Sequence, residues 1–366
     1  MLKQSIVMCG VVLILLFLVV PSSVQAQGEA AVPFLLISPA PRASALGESG
    51  AGIADDASAM FYNPAGLAFQ HGYEVSLSHS SWLPQLQLSD LFYENLYFKA
   101  EMPSISGTIG ASIIYMNYGE FNRTGESGPE VIGTFRSFEM AAALGYSTLI
   151  TDEFSIGTSL RFIYSKLADV GAGQEQGKGI ASTVSADIAL LYKPKVLEIP
   201  LVGDIGNAFS VGMNLSNLGP TMTYIDKEQA DPIPTNLRLG FGYKILNSEH
   251  NDLNFSLDFS RLLVRRYPPE EEKKPDPFYK ALFTAWGDGG LQRVVEGVGL
   301  EYWYDKTVAL RAGYFHEDEK YGNRKFLTFG GGIRYDIYGF DFSYISASDS
   351  SPLANTLRFS ILINWQ

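Results

Sequence analysis

Apolar and polar side chains alternate along most of the chain. In the last segment, Leu357 and Phe359 fall on one face, whereas Arg358 falls on the other. Side chains of a β-strand point to opposite faces in turn, so a period of two residues predicts strands with a different environment on each face. The same split recurs upstream, and we therefore expect an all-β protein.

The alternation defines about fourteen predicted strands, an even number such as single-chain bacterial outer-membrane barrels have. Their expected bounds are 73–81, 94–102, 106–117, 136–149, 154–167, 181–193, 208–217, 236–246, 252–262, 295–304, 307–316, 326–336, 339–347 and 355–365. Charged residues within them keep to the polar face, namely Arg161, Asp187, Arg238, Asp258, Arg334, Asp341 and Arg358. A soluble β-sandwich also alternates, with its apolar face buried, so the pattern by itself leaves both architectures open.

The connections between the predicted strands alternate between short and long. The short ones cover 103–105, 150–153, 305–306 and 337–338, and the long ones cover 82–93, 118–135, 168–180, 218–235 and 263–294. Short periplasmic turns and long external loops are typical of outer-membrane barrels, so we predict an antiparallel transmembrane β-barrel over 71–366. The connection 194–207 is too long for a periplasmic turn, which predicts either a small helix there or an error in the strand count.

Residues 27–70 precede the first strand and do not alternate. Glycine and proline interrupt any long helix or strand, and a short helical turn at 57–60 is the most regular structure we expect. Asp55 or Asp56 is the expected N-cap of that turn, although an Asp pair can also hold a cation. A barrel of about fourteen strands is too wide for its own side chains to fill, so the segment is predicted to plug the lumen. Glycines inside the strands, as at 330–332, suit either curvature of the wall or a close approach by something in the lumen.

Residues 1–26 have the layout of a signal peptide. Lys3 precedes an apolar run at 6–20, and a small-residue cleavage motif ends at Ala26, after which cleavage is expected. An uncleaved membrane anchor is the alternative, although the run is short for a spanning helix. Without Lys3, the 27 basic residues become 26 against 39 acidic ones, so the net charge changes from −12 to −13. Such a charge argues against a nucleic-acid partner.

The sequence contains no recognisable catalytic or metal-binding pattern. None of the four histidines has a Ser, an Asp or a second ligand at a useful spacing; they are His71, His79, His250 and His316. The glycine-rich stretch 171–179 lacks the spacing and the Ser or Thr of a phosphate-binding loop. We therefore expect neither an enzyme nor a cofactor.

The longest predicted loop, 263–294, contains a candidate docking surface for another protein. It begins with a charged, proline-rich stretch that should be extended and solvated. Phe278, Leu282, Phe283 and Trp286 then follow at helical spacing. Exposed aromatic residues at this position can dock a partner, or they can fold back over the mouth of the barrel.

Several stretches resemble two related families of outer-membrane barrels. The N-terminal segment, with its Asn63, Pro64 and Ala65 motif, is similar to the hatch of FadL-type barrels. Over nearly all of the mature chain, the sequence resembles more specifically the PorV family of the type IX secretion system. The matching stretches are FLLISP at 34–39, Arg42, 47–50, Trp82 with Leu83, 262–264, EYWY at 301–304, LRAGYF at 310–315, 322–323 and PLANTLRFS at 352–360.

The resemblance implies a function that composition and periodicity do not. PorV-like barrels bind secreted proteins by their C-terminal signal domain at the translocon barrel, and they pass them to a cell-surface attachment complex that contains a sortase. The resemblance therefore implies these partners, an outer-membrane location and contact with outer-membrane lipid, with 278–286 as the expected docking loop. The resemblance to FadL implies an alternative, the uptake of long-chain fatty acids or other hydrophobic molecules. A carrier should have a closed lumen, whereas a channel needs an apolar pocket and a gap in the wall.

Overall fold

Fourteen β-strands close into one antiparallel barrel. The computed structural model describes residues 30–86, 90–124, 130–169, 178–200, 203–224, 230–267, 271 and 273–366. The strands in this part of the chain are β1 Tyr73–Ser81, β2 Phe92–Met102, β3 Gly107–Thr124, β4 Val131–Thr151, β5 Phe154–Lys166, β6 Ile180–Tyr192, β7 Glu198–Ile199, β8 Gly203–Asp204, β9 Phe209–Leu218, β10 Asn236–Asn247, β11 Asn251–Leu262, β12 Val294–Tyr304, β13 Val308–His316, β14 Lys325–Tyr335, β15 Tyr338–Ser346 and β16 Leu357–Trp365. All except the short β7 and β8 belong to the barrel, and β1 pairs with β16 to close the wall.

The two faces of the barrel wall have opposite polarity. On β5, Leu160 is 71% exposed on the outside, whereas Arg161 is 5% exposed and lies in the lumen. A sandwich would bury the apolar face instead, so the structure confirms the barrel and rules out the sandwich. No helix among the described residues is long and apolar enough to span a bilayer.

Aromatic side chains mark the two ends of the apolar outer band. At the end that carries the long loops, the rings of Tyr115, Phe138 and Tyr164 follow one another across β3 to β5, with centroids 5.7 and 5.8 Å apart. At the other end, Tyr73 stacks on Trp365 at 5.6 Å. Such girdles lie at the two membrane interfaces, and we assign the end with the long loops to the external side.

All fourteen predicted barrel strands are present, and most of their ends lie within two residues of the prediction. The exceptions are β3 and β4, which extend into the predicted loop 118–135 as far as Thr124 and Val131 and form a two-stranded ribbon beyond the ends of β2 and β5. The stacked rings of Phe121 and Phe135, 5.7 Å apart, stabilise this ribbon. The connection 194–207 contains the β7–β8 hairpin, so the predicted small helix is wrong and the strand count is right.

The segment 30–70 lies inside the barrel, as the width of the lumen predicted. It contains two short α-helices, Pro41–Ser44 and Ala59–Tyr62, joined by turns. Its apolar side chains pack within the lumen and against the inner wall; the most deeply buried include Phe34, Leu46, Met60 and Leu67. We call this segment the plug.

Glycines on the inner face of the wall let the plug approach the strands. A Cβ added to Gly313 on β13 would lie 2.2 Å from the backbone nitrogen of Gly47 in the plug. Gly47 itself has a φ of 66°, a conformation that favours glycine, and it donates its N–H to Thr328 Oγ1 at 3.0 Å. The predicted close approach is confirmed at Gly330, where an added Cβ would lie 2.5 Å from the Cβ of Ala45.

Gly313→Ala should destabilise the barrel, because the new methyl group clashes with the backbone of the plug. Overpacking of a closely packed interior typically costs about 1–3 kcal/mol. We expect the variant to unfold at a lower temperature, measured by the change in gel mobility on heating. Gly287→Ala is the matched control, because an added Cβ there meets nothing within 4 Å. Equal unfolding temperatures for the two variants would contradict the close contact.

Candidate functional site

The Asn63, Pro64 and Ala65 motif joins the plug to one side of the wall. The side-chain amide of Asn63 donates to the carbonyl oxygen of Leu190 on β6 at 3.0 Å, and its Oδ1 accepts from the backbone nitrogen of Ala65 at 3.1 Å. The carbonyl oxygen of Ala65 accepts hydrogen bonds from two wall hydroxyls, those of Ser147 and Ser155. The motif therefore caps a local turn and bonds to β4, β5 and β6 at the same time.

A network of buried charges joins the plug to another part of the wall. Arg42, in the helix Pro41–Ser44, donates to the two carboxylate oxygens of Glu301 on β12, at 2.7 and 2.8 Å. Glu301 is fully buried and also accepts from Arg311 on β13 at 2.8 Å. Arg311 in turn donates to Asp341 on β15 at 2.7 Å. Because a buried charge is costly unless it is paired, the network is satisfied only when the plug is seated.

Asp55 and Asp56 extend the same network. The Nη1 atom of Arg42 lies 2.5 Å from the carboxylate of Asp55 and 3.1 Å from that of Asp56. Asp56 Oδ1 also accepts from the backbone nitrogen of Ser58 at 2.9 Å, so Asp56 turns the chain just before the helix Ala59–Tyr62. The helix thus begins two residues later than predicted. Within the described ranges, no group of three or more His, Cys, Asp or Glu residues could hold a metal ion.

A cavity of about 290 Å³ lies on the external side of the plug. The apolar residues of its lining include Pro33, Leu36, Leu262, Val295 and Phe315. The charged residues of its lining are Glu48, Arg238, Asp258, Arg293, Glu317 and Arg324. The volume is close to the lower end of the range for small-molecule pockets.

Several of the charged groups around the cavity are paired with each other. Arg324 donates to both carboxylate oxygens of Glu317, at 2.6 and 2.9 Å. Arg238 donates to the carbonyl oxygen of Glu48 at 3.0 Å and lies 3.4 Å from the carboxylate of Asp258. An apolar ligand would remove water from these groups without replacing its hydrogen bonds. The lining therefore suits a ligand with polar groups better than a hydrocarbon.

The four predicted docking residues lie together on the external loop, but they differ in exposure. Phe278 and Leu282, in the helix Phe278–Thr284, are half-buried, whereas Phe283 is 79% exposed. The ring of Trp286 lies over the guanidinium of Arg261 at 4.7 Å. Trp286 therefore holds the loop in place, while Phe283 is available to a partner.

Two exposed apolar residues that helical spacing did not single out lie on the same loop. Tyr279 is 64% exposed, and Leu291, in the 3-10 turn Gly290–Arg293, is 79% exposed. Leu291 follows a pair of glycines, and periodicity does not continue through such a break. We call Tyr279, Phe283 and Leu291 the external apolar surface.

Asp276 fixes the loop that carries the external apolar surface. Its carboxylate accepts hydrogen bonds from Lys280 at 2.7 Å, Thr284 at 2.7 Å and Tyr267 at 3.0 Å. Burial tends to raise the pKa of Asp276, but these hydrogen bonds and the charge of Lys280 hold that pKa below its ordinary value. The carboxylate is thus ionised at neutral pH and holds the helix against the preceding chain.

The closed wall, the plug and the external cavity define a FadL-like outer-membrane barrel. Solved structures with a similar fold include the toluene transporter TbuX of Ralstonia pickettii, with 13% identity, a TM-score of 0.52 and coverage of 89% of this chain and 98% of that chain. The toluene transporter TodX of Pseudomonas putida has 16% identity, a TM-score of 0.52 and coverage of 87% and 95%. A Pseudomonas aeruginosa FadL homologue has 10% identity, a TM-score of 0.50 and coverage of 90% and 98%. At these identities the likeness shows the fold alone.

Residues 23–270 match the family described as type IX secretion system protein PorV. The match spans more than half of the chain, which therefore belongs to the PorV family. No curated protein sequence matches it. The fold and the family place the protein in the outer membrane, and the family is one of type IX secretion components. The predicted signal peptide, 1–26, lies outside the described residues.

Arg42→Met should destabilise the seated plug, because it removes one of the two arginines that neutralise buried Glu301. Breaking a buried ion pair from one side typically costs about 3–5 kcal/mol. We expect a lower unfolding temperature and faster proteolysis of the plug segment in the purified protein. Arg136→Met is the matched control, because Arg136 is exposed on the ribbon and lies 3.6 Å from Glu120. If both variants behave like the unmodified protein, the buried network does not hold the plug.

Proposed function

We propose that this protein receives secreted proteins by their C-terminal signal domain at the type IX translocon and passes them to the cell-surface attachment complex, which contains a sortase. The observation that carries the proposal is the contrast between the lumen and the external loop. The plug occupies the lumen and is bonded to the wall at Asn63 and at Arg42. The apolar residues that remain free for contact outside the membrane include Phe283 and Leu291 on the external side. This arrangement favours binding at the surface over passage through the barrel.

We place docking of the translocon barrel at the external apolar surface. Large apolar side chains on a fixed support supply most of the energy at protein interfaces. The support here is the helix Phe278–Thr284, which is held by Asp276 and by the stacking of Trp286 on Arg261. Little ordering is therefore required when a partner binds, which favours a stable complex.

We place the cargo domain over the external mouth, beside the charged cavity. Arg238, Glu317 and Arg324 lie there with charges of both signs. Charged groups around an interface fix the orientation of a partner more than they raise its affinity. A folded domain that rests on the mouth would thus be oriented by these groups while the plug stays in place.

The alternative function is transport of a hydrophobic molecule, as the names of TbuX and TodX state for those proteins. The apolar residues of the cavity lining, such as Leu262 and Phe315, favour it. The paired charges of the same lining weigh against it, and so does the closed ladder of fourteen strands. The exposed apolar band of the outer wall accounts for contact with outer-membrane lipid under either function.

Phe283→Ala combined with Leu291→Ala should weaken recovery of partners with the tagged protein. Losing one central interface residue typically costs about 2 kcal/mol or more, which exceeds a tenfold change in affinity. The measurement is affinity purification from the outer membrane in mild detergent, followed by mass spectrometry. We expect the unmodified protein to recover a very large translocon barrel, or secreted proteins that share a C-terminal β-domain.

Ile105→Ala is the control, because Ile105 is an exposed apolar residue on a periplasmic turn. Trp286→Ala is less suitable, because it would also uncover Arg261. If the double variant recovers its partners as well as the unmodified protein does, the loop is not the docking site. If the barrel is instead recovered alone with a bound fatty acid or another apolar molecule, the transport function replaces the carrier function.

A further inference from the structure

Arg358, on β16, is a buried cation without a hydrogen-bonding partner. The residue is 1% exposed, and its Nε, Nη1 and Nη2 atoms all lack a partner. Other arginines of the lumen are different, since Arg42, Arg161, Arg311 and Arg334 each donate to a carboxylate. A guanidinium remains charged in any protein, so burial without a counterion is costly and requires an explanation.

The neighbouring strands supply a second polar group to the same place. Ser343 on β15 and Ser80 on β1 are the cross-strand neighbours of Arg358. Ser343 Oγ is buried and has no partner, whereas Ser80 Oγ donates to the carbonyl oxygen of Leu357 at 3.2 Å. A charged donor and a hydroxyl thus remain unsatisfied on adjacent strands of the inner wall.

The indole ring of Trp82 covers the guanidinium of Arg358. The ring centroid lies 5.8 Å from the guanidinium carbon, and Trp82 directly follows the external end of β1. The indole also lies near the ring of Tyr93, and the centroids of the two rings are 6.2 Å apart. Trp82 is half-buried, so part of the indole that covers Arg358 is exposed to solvent.

The charged and phenolic groups that interact electrostatically with Arg358 do not replace a bonded anion. The carboxylate of Glu48 has the strongest electrostatic interaction with Arg358, and the phenol groups of Tyr62 and Tyr93 have weaker ones. None of the three forms a hydrogen bond with Arg358. The hydroxyl of Tyr93 donates instead to the carbonyl oxygen of Phe34 at 3.2 Å.

We propose that Arg358 is the centre of a binding site for a small carboxylate, with Ser343 as the second contact and Trp82 as the cover. A carboxylate fits better than a spherical anion, because its two oxygens match the paired N–H groups of a guanidinium and can also accept from a hydroxyl. Arg358 is not among the residues that line the external cavity, and three strands separate β16 from β12, which follows the loop that carries the external apolar surface. The site is therefore independent of the proposed carrier function.

The test compares formate with chloride on the purified full-length protein in detergent, at constant ionic strength. A ligand that binds only the folded state raises the unfolding temperature, so formate should raise it more than chloride does. Arg358→Met should abolish the formate-dependent increase. Without formate it should be at least as stable as the unmodified protein, since an uncompensated buried charge has been removed.

Three further variants keep the test decisive if Arg358→Met does not fold. Arg358→Lys retains the charge but lacks the paired N–H groups, so it should lose the preference for formate over chloride. Ser343→Ala should reduce the response to formate, and Trp82→Phe should remove any formate-dependent change in tryptophan fluorescence while keeping the thermal response. An equal response to both anions in the unmodified protein, or an unchanged preference in Arg358→Lys, would overturn the proposal.

Discussion

The structure depends on the pairing of buried charges across the boundary between the plug and the wall. Glu301 is fully buried on β12 and is neutralised from two directions, by Arg311 of the wall and by Arg42 of the plug. A buried charge in such an interior is costly unless it has a partner. The position of the plug is therefore set by chemistry within the lumen, and the external loops can be devoted to contacts with other molecules.

Close packing on the other strands adds to this electrostatic constraint. Gly313 and Gly330 bring the backbone of the wall within contact of the plug, and Asn63 bonds directly to the carbonyl oxygen of Leu190. The proposed carrier function gives this arrangement its context, because a secretion component that binds its partners at the surface would have no need of an open channel. The external apolar surface and the charged mouth are the features of this chain that fit such a role.

Much of the fold could be predicted from the sequence, because the alternation of apolar and polar residues shows which face of each strand contacts lipid. The inward positions of Arg161, Asp187 and Arg358 followed from that register. The ribbon of β3 and β4 was missed, because glycines and polar residues at 118–135 are typical of a loop and only cross-strand pairing reveals the strands. The exposure of the predicted docking residues could be foreseen only in part. Helical spacing identified Phe283, but it did not show that Trp286 would stack on Arg261 or that Leu291 would be exposed.

The closing pair of the wall has a consequence for how the protein is made. β1 and β16 are the first and last barrel strands, so the cylinder cannot close until the C-terminal strand has been synthesised and exported. The plug precedes β1 in the chain, and its contacts at Ser147, Ser155 and Leu190 involve strands that emerge early. We therefore expect assembly to proceed around the plug, which serves as a template for the growing sheet. Pairing of Arg42 with Glu301 comes later, once the second half of the barrel is present.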